Sequence, residues 1–135
     1  MHDEDLEGLR EYLEYLKKIE VDAVIASSIY VLEIGKEIGL EVHMSTQLSI
    51  LNSEAVNFYH RLGSKRIVLG RELNLEEIKN IKLNTNAEIE VFIHGGMCSA
   101  YSGRCMLSQY MCDRDPNRGG CAHSCRWKYH LLDDN

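Results

Sequence analysis

The sequence has 135 residues, 44% of them hydrophobic and 27% charged, with a single proline and a formal net charge of −6. That is the profile of one globular domain, and the negative total argues against wholesale nucleic-acid binding. No apolar run approaches the roughly 18 residues needed to cross a bilayer, and the charged opening MHDEDLEGL lacks the order of a secretory leader, so a cytoplasmic protein without a membrane partner is expected.

Leu6, Leu9, Leu13, Leu16 and Ile19 recur at three- and four-residue steps, which predicts an amphipathic helix over 4–20. VDAVIASS (21–28) reads as a strand, and Ser27 and Ser28 stand where N-caps of the following helix, 29–39, would lie. Gly39 is positioned to end that helix. LEVHMSTQ (40–47) is a second strand, 53–63 a third helix, and SKRIVLGRE (64–72) a third strand. Asn74 followed by Glu77 makes a capping-box pattern at the head of LEEIKNIKL, and AEIEVFIHG (87–95) is the fourth strand. Strand starts thus recur about every 20–24 residues, the beat of βα units with parallel strands.

Four such units are half of a (β/α)8 barrel, which typically needs about 250 residues. The sequence is therefore expected to be part of a TIM-like barrel in a longer protein, an open α/β sheet, or a half-barrel that associates with itself to cover its edges. The organisation read from the sequence is a βα region, 1–95, and an irregular cysteine-rich segment, 96–135. That segment has little periodic apolar content and needs something besides a hydrophobic core to hold it.

Chemistry in parallel α/β folds gathers at the carboxyl ends of strands. Those ends carry Ser27 and Ser28, Ser45 to Gln47, Arg71 and Glu72, and His94 and Gly95. Convergence on one face would make a pocket, although Arg71 and Glu72 could equally pair with each other. Cys98 four residues after His94 also allows a Cys/His nucleophile pair.

All five cysteines fall after residue 97. Without Cys112 they form C-x6-C-x15-C-x3-C from Cys98, Cys105, Cys121 and Cys125, a set able to hold an iron–sulfur cluster or zinc. The gaps differ from the paired C-x2-C of zinc ribbons and tilt the choice to a 4Fe-4S cluster; redox thiols and disulfides are the other readings. From His94 to His130 the chain carries Asp113 and Asp115 against four arginines and Lys128, a local +3 on a body of −7. The zinc-protease helix H-E-x-x-H, the G-x-S-x-G elbow, the P-loop and the dinucleotide fingerprint are all missing from the sequence.

The run EVFIHGGMCSAYSGRCMLSQYMCDRDPNRGGCAHSCRWKY (90–129) resembles the signature region of peptidase family U32, the collagenase-like peptidases. Upstream, VHMSTQLSILN and RIVLGRELNLEEI resemble the strand ends that precede it in the family. Gly96 stands where alanine is usual, Cys112 where the family has another residue, and the sequence is shorter than the family's barrel.

The resemblance implies a TIM-like barrel and two rival activities, peptide hydrolysis and oxygen-independent hydroxylation of RNA, above all of tRNA wobble uridine. For the latter it implies a 4Fe-4S cluster on Cys98, Cys105, Cys121 and Cys125, prephenate as co-substrate and an electron donor of unknown identity. The site expected on this basis has His94, Arg71 and Glu72 as catalytic residues. Thr46, Gln47, Tyr101, Arg104, Arg118 and Arg126 are expected against substrate, either tRNA or a peptide.

Overall fold

The computed structural model describes residues 2–101 and 104–132. They divide into two compact units, 1–97 and 98–135.

In the first unit four short strands, β1 (Val24–Ala26), β2 (Val42–Met44), β3 (Arg66–Val68) and β4 (Glu88–Glu90), form one sheet in the order β1-β2-β3-β4. Every neighbouring pair is parallel, with Val24 opposite Val42, Met44 opposite Ile67, and Ile67 opposite Ile89. Helices α1 (Leu9–Lys18), α2 (Ile29–Ile38), α3 (Ser53–Leu62) and α4 (Leu75–Leu83) alternate with the strands. The α/β reading and the parallel βα rhythm hold.

Each strand is only three residues long, against the eight or nine read from the apolar runs. The flanking residues belong to caps and connections. The first helix is also shorter than 4–20: a 3-10 turn (Asp3–Leu6) precedes it, and Gly8 in the left-handed region (φ 69°) separates the two. Gly39 does end α2 in the left-handed conformation (φ 71°), as expected. The capping box at α4 also forms, Asn74 accepting from the Glu77 amide and Glu77 from the Asn74 amide. Ser28 is the N-cap residue of α2, but its hydroxyl makes no capping bond.

The pleat sorts the sheet into two faces. Val24, Ala26, Val42, Met44, Ile67, Leu69, Ala87, Ile89 and Val91 join Leu13 of α1, Leu32 and Ile34 of α2, Val56 of α3 and Ile81 of α4 in one apolar cluster. All four helices thus pack on the same side of the sheet, the arrangement that consecutive parallel strands joined by same-handed crossovers produce. Helix-to-sheet approach is closest at Gly35, where an added Cβ would stand 2.3 Å from a Val42 methyl.

The other face carries Ile25, His43, Arg66, Glu88 and Glu90, and so is not a doubly apolar sheet. Arg66 donates to Glu88 at 2.8 Å and stands 3.6 Å from Glu90, and His43 Nε2 lies 2.7 Å from Glu41. The bond from Arg66 holds the Glu88 carboxyl below its ordinary range, and the His43 contact does the same to Glu41. On the helix side Arg10 pairs with Glu37.

The second unit contains a helix, α5 (Leu107–Cys112), that the irregular reading of 96–135 did not anticipate. Two 3-10 turns follow, Pro116–Arg118 and Ser124–Arg126. Asp115 closes the first: its side chain accepts from the Asn117 amide and its carbonyl from Gly120, at 2.8 Å in each case. Glycine is required at position 120, since a Cβ there would meet the Asp115 carbonyl oxygen at 2.6 Å. No helix among the described residues is long and apolar enough to cross a membrane.

Candidate functional site

All four strand ends are tied together by backbone and hydroxyl bonds. The Ser45 amide donates to Ala26, and the Thr46 hydroxyl donates to the Leu69 carbonyl at 3.0 Å. The Gly70 amide donates to Ile50 and the Leu69 amide to Glu90. Ser45 caps the turn Thr46–Leu48 by accepting from the Gln47 amide, so Thr46 and Gln47 are fixed, half-buried, at the end of β2.

Arg71 follows Gly70 and is half-buried; its Nε is buried and, among the described residues, makes no hydrogen bond, and the same holds for the Ser49 hydroxyl. A guanidinium nitrogen held this way retains donor capacity for an acceptor that the described residues do not supply. Glu72 is exposed and engaged in an interaction of its own.

His94 departs from the expected arrangement. The β4 ladder closes at Glu90, so His94 lies four residues past the strand end and is exposed. Phe92 and Ile93, which made 87–95 look like one long strand, are 50% and 91% exposed. Thr46, Gln47 and Arg71 are therefore the residues brought to the carboxyl end of the sheet, and His94 is not held there by the ladder.

In the second unit all five cysteines are free thiols, with Cys98, Cys121 and Cys125 exposed and Cys105 and Cys112 half-buried. Three sulfurs share one local geometry. The Cys98 sulfur accepts from the Ala100 amide at 3.4 Å, Cys105 from Leu107 at 3.3 Å, and Cys121 from His123 at 3.4 Å. Amide donors to sulfur are among the contacts by which a protein surrounds a metal held on cysteines. The donor set therefore fits a thiolate-held metal in its chemistry. Among the described residues no three cysteine, histidine, aspartate or glutamate side chains stand close enough together to hold one.

Two buried serines organise this unit, and neither stood out in the sequence. Ser108, 2% exposed, accepts from the Ala122 amide at 3.0 Å and donates to the Cys121 sulfur at 3.8 Å. Ser124, 1% exposed, lies 3.6 Å from the Cys112 sulfur and through its carbonyl accepts from the Tyr129 hydroxyl at 2.8 Å. Ser108 and Cys112 are four apart on α5 and share a face, so that one face clasps both Cys121 and Ser124. Cys112, which stands outside the C-x6-C-x15-C-x3-C set, is half of this clasp.

Tyr101, Arg104, Arg118 and Arg126 are all exposed. The Arg104 amide donates to the Tyr101 carbonyl at 2.9 Å, while Arg118 and Arg126 close the two 3-10 turns through their amides and are engaged in further interactions.

The fold and these sites define a class: parallel βα units followed by a module ordered around serines, glycine turns and free thiols. The chain belongs to peptidase family U32, whose model matches residues 1–135. It is 46% identical over 132 residues to tRNA hydroxylation protein P1 of Bacillus subtilis, covering 96% of this chain and 31% of the relative. A 23S rRNA 5-hydroxycytidine synthase of Escherichia coli is 42% identical over 134 residues, 99% of this chain and 20% of the relative. A collagenase of Porphyromonas gingivalis is 38% identical over 144 residues, 98% of this chain and 34% of the relative. The chain thus spans about a third or less of the length of these relatives. The solved structure of a U32 peptidase superposes with a TM-score of 0.57 at 28% identity, over 67% of this chain and 38% of that one.

Proposed function

We propose that this chain is part of an iron–sulfur protein that hydroxylates RNA without oxygen, with tRNA wobble uridine as its target and prephenate as co-substrate. The observation that carries the reading is the 46% identity, across nearly the whole chain, to a protein named for tRNA hydroxylation. In this reading the four strands are consecutive staves of a TIM-like barrel. Arg71, with its unsatisfied buried Nε beside Thr46 and Gln47 at the strand ends, offers a cation to an anionic group of substrate or co-substrate. Cys98, Cys105, Cys121 and Cys125 would hold the cluster, which would supply electron transfer when bound. The protein's own contribution there is to hold three of those sulfurs under backbone amides and Cys121 under the Ser108 hydroxyl. The basic stretch 94–130 provides charge for phosphate.

The reading is tested by mass spectrometry of tRNA nucleosides from cells with and without the intact gene. Loss of hydroxylated wobble uridine, restored by the wild-type gene and not by Cys121→Ser, is the expected result. The same substitution should strip iron from anaerobically prepared protein. An unchanged nucleoside profile, together with peptide cleavage by iron-free protein, would instead establish the second reading, which the 38% identity to a collagenase favours.

A further inference from the structure

Residues 124–129 expose aromatic rings on a backbone held by hydrogen bonds of its own. Trp127 is 47% exposed and Tyr129 57% exposed. Both are anchored to one carbonyl, that of Ser124, which accepts from the Trp127 amide at 3.1 Å and from the Tyr129 hydroxyl at 2.8 Å. Ser124 is itself 1% exposed and clasped to Cys112 of α5. The tyrosine's polar end is satisfied within the protein while its ring remains at the surface, so its orientation is set before any partner arrives.

Two cations of the same unit are also uncommitted. In the first unit Arg10, Lys65 and Arg66 are each matched by a glutamate. Lys128, between the two aromatics, and Arg114 are exposed and, among the described residues, in no ion pair.

We propose that Trp127 and Tyr129 are a stacking platform for unpaired RNA bases, with Lys128 and Arg114 meeting the flanking phosphates. Exposed aromatic faces next to unpaired cations recognise single-stranded RNA, whose bases can be splayed onto a ring, whereas a duplex keeps its bases stacked inside. The proposal rests on the RNA reading above and supplies its substrate surface: a loop, not a helix.

Trp127 is the sole tryptophan of the chain, so its fluorescence reports this surface directly. Titration with heptauridylate should quench it saturably, and the same strand in a duplex with heptaadenylate should bind at least tenfold more weakly. By anisotropy of labelled heptauridylate, Trp127→Leu and Tyr129→Leu should each weaken binding roughly tenfold or more, and Trp127→Tyr should restore most of it. Lys128→Gln, which leaves every described hydrogen bond in place, should lower the slope of log affinity against log salt by about 1.

Absence of quenching, equal affinity for the duplex, or leucine variants that are folded by circular dichroism and bind like wild type would overturn the platform. So would displacement of the RNA by a collagen-like peptide that binds more tightly. Nucleoside analysis of the same cells separates the two ideas. Saturable binding with no hydroxylation defeats the activity and leaves the platform standing, and hydroxylation without quenching does the reverse.

Discussion

Residues 1–97 and the cysteine-bearing residues after them solve the problem of staying folded by different means. Every buried apolar side chain of the described core lies at or before Ala87. Beyond it the buried residues are Ser108, Pro116 and Ser124. The first unit is held by area removed from water, worth about 25 cal/mol per Å². The second is held by the Ser108 hydroxyl, which serves two partners, by Ser124 through its hydroxyl and its carbonyl, by the Asp115 turn and by a helix of six residues. A six-residue helix is far below the length at which helices persist alone, so its order depends on the clasp to Cys121 and Ser124. The lesson is that a metal bound by the thiols would add most where the apolar core adds least.

The comparison is broken most forcefully from the core side. Leu32 is 2% exposed at the centre of the apolar cluster, so Leu32→Ala should cost about 3 kcal/mol through lost transfer energy and the cavity left behind. In urea the far-ultraviolet circular dichroism transition, dominated by α1 to α4, should move to lower denaturant. The Trp127 fluorescence transition should not follow it. Equal shifts in both signals would show that the two units unfold as one, and that the contrast drawn above is only local.

A smaller effect should sharpen the contrast from the other side. Ser108→Ala removes the acceptor of the Ala122 amide and the donor to the Cys121 sulfur within a site closed to water. A buried donor left unmade costs about 1–3 kcal/mol. The Trp127 transition should weaken and hydrogen exchange at Ala122 should accelerate, with the dichroism midpoint unchanged. Retained protection at Ala122 would mean that something other than Ser108 holds the segment.

Local signals in the sequence translated well into structure. Asn74 and Glu77 lie three apart, and the capping box they announce needs nothing from the rest of the chain. Gly39 likewise ends α2 by its own backbone freedom. The strands were legible as apolar runs, but their ends were not, because a ladder stops where the neighbour stops. β4 closes at Glu90 opposite Val68, whatever the apolarity of Phe92 and Ile93. His94, at the end of the apolar run, therefore lies four residues beyond the strand. The helix at 107–112 was illegible for the opposite reason: six residues are too few to show a period, and what orders them lies 12 or 13 positions away. The site followed the same division. The cysteine spacing was visible, whereas Ser108 and Ser124, which arrange two of those loops, are ordinary serines until the contacts are drawn.

The smallest expected effect concerns the charged face of the sheet, which neither the core nor the thiol module explains. Glu88 accepts two bonds from Arg66, and that contact holds its carboxyl below the ordinary 4.5. A carboxyl lowered in the folded state contributes stability that is fully present above its unfolded value, and that stability is lost as pH falls through the folded value. Glu88→Gln should therefore lower the dichroism midpoint slightly at pH 7, and the gap to wild type should narrow as pH falls below the ordinary 4.5 and close once Glu88 is protonated in the folded state. Glu41, lowered by His43, remains in the variant, so some acid sensitivity should persist there. Because Arg66 and Glu88 are 40% and 42% exposed, the gap should also shrink in 0.5 M salt, where the screening length is only a few Å. A gap that stayed constant with pH and salt would assign the role of Glu88 to packing of its methylenes and not to its charge.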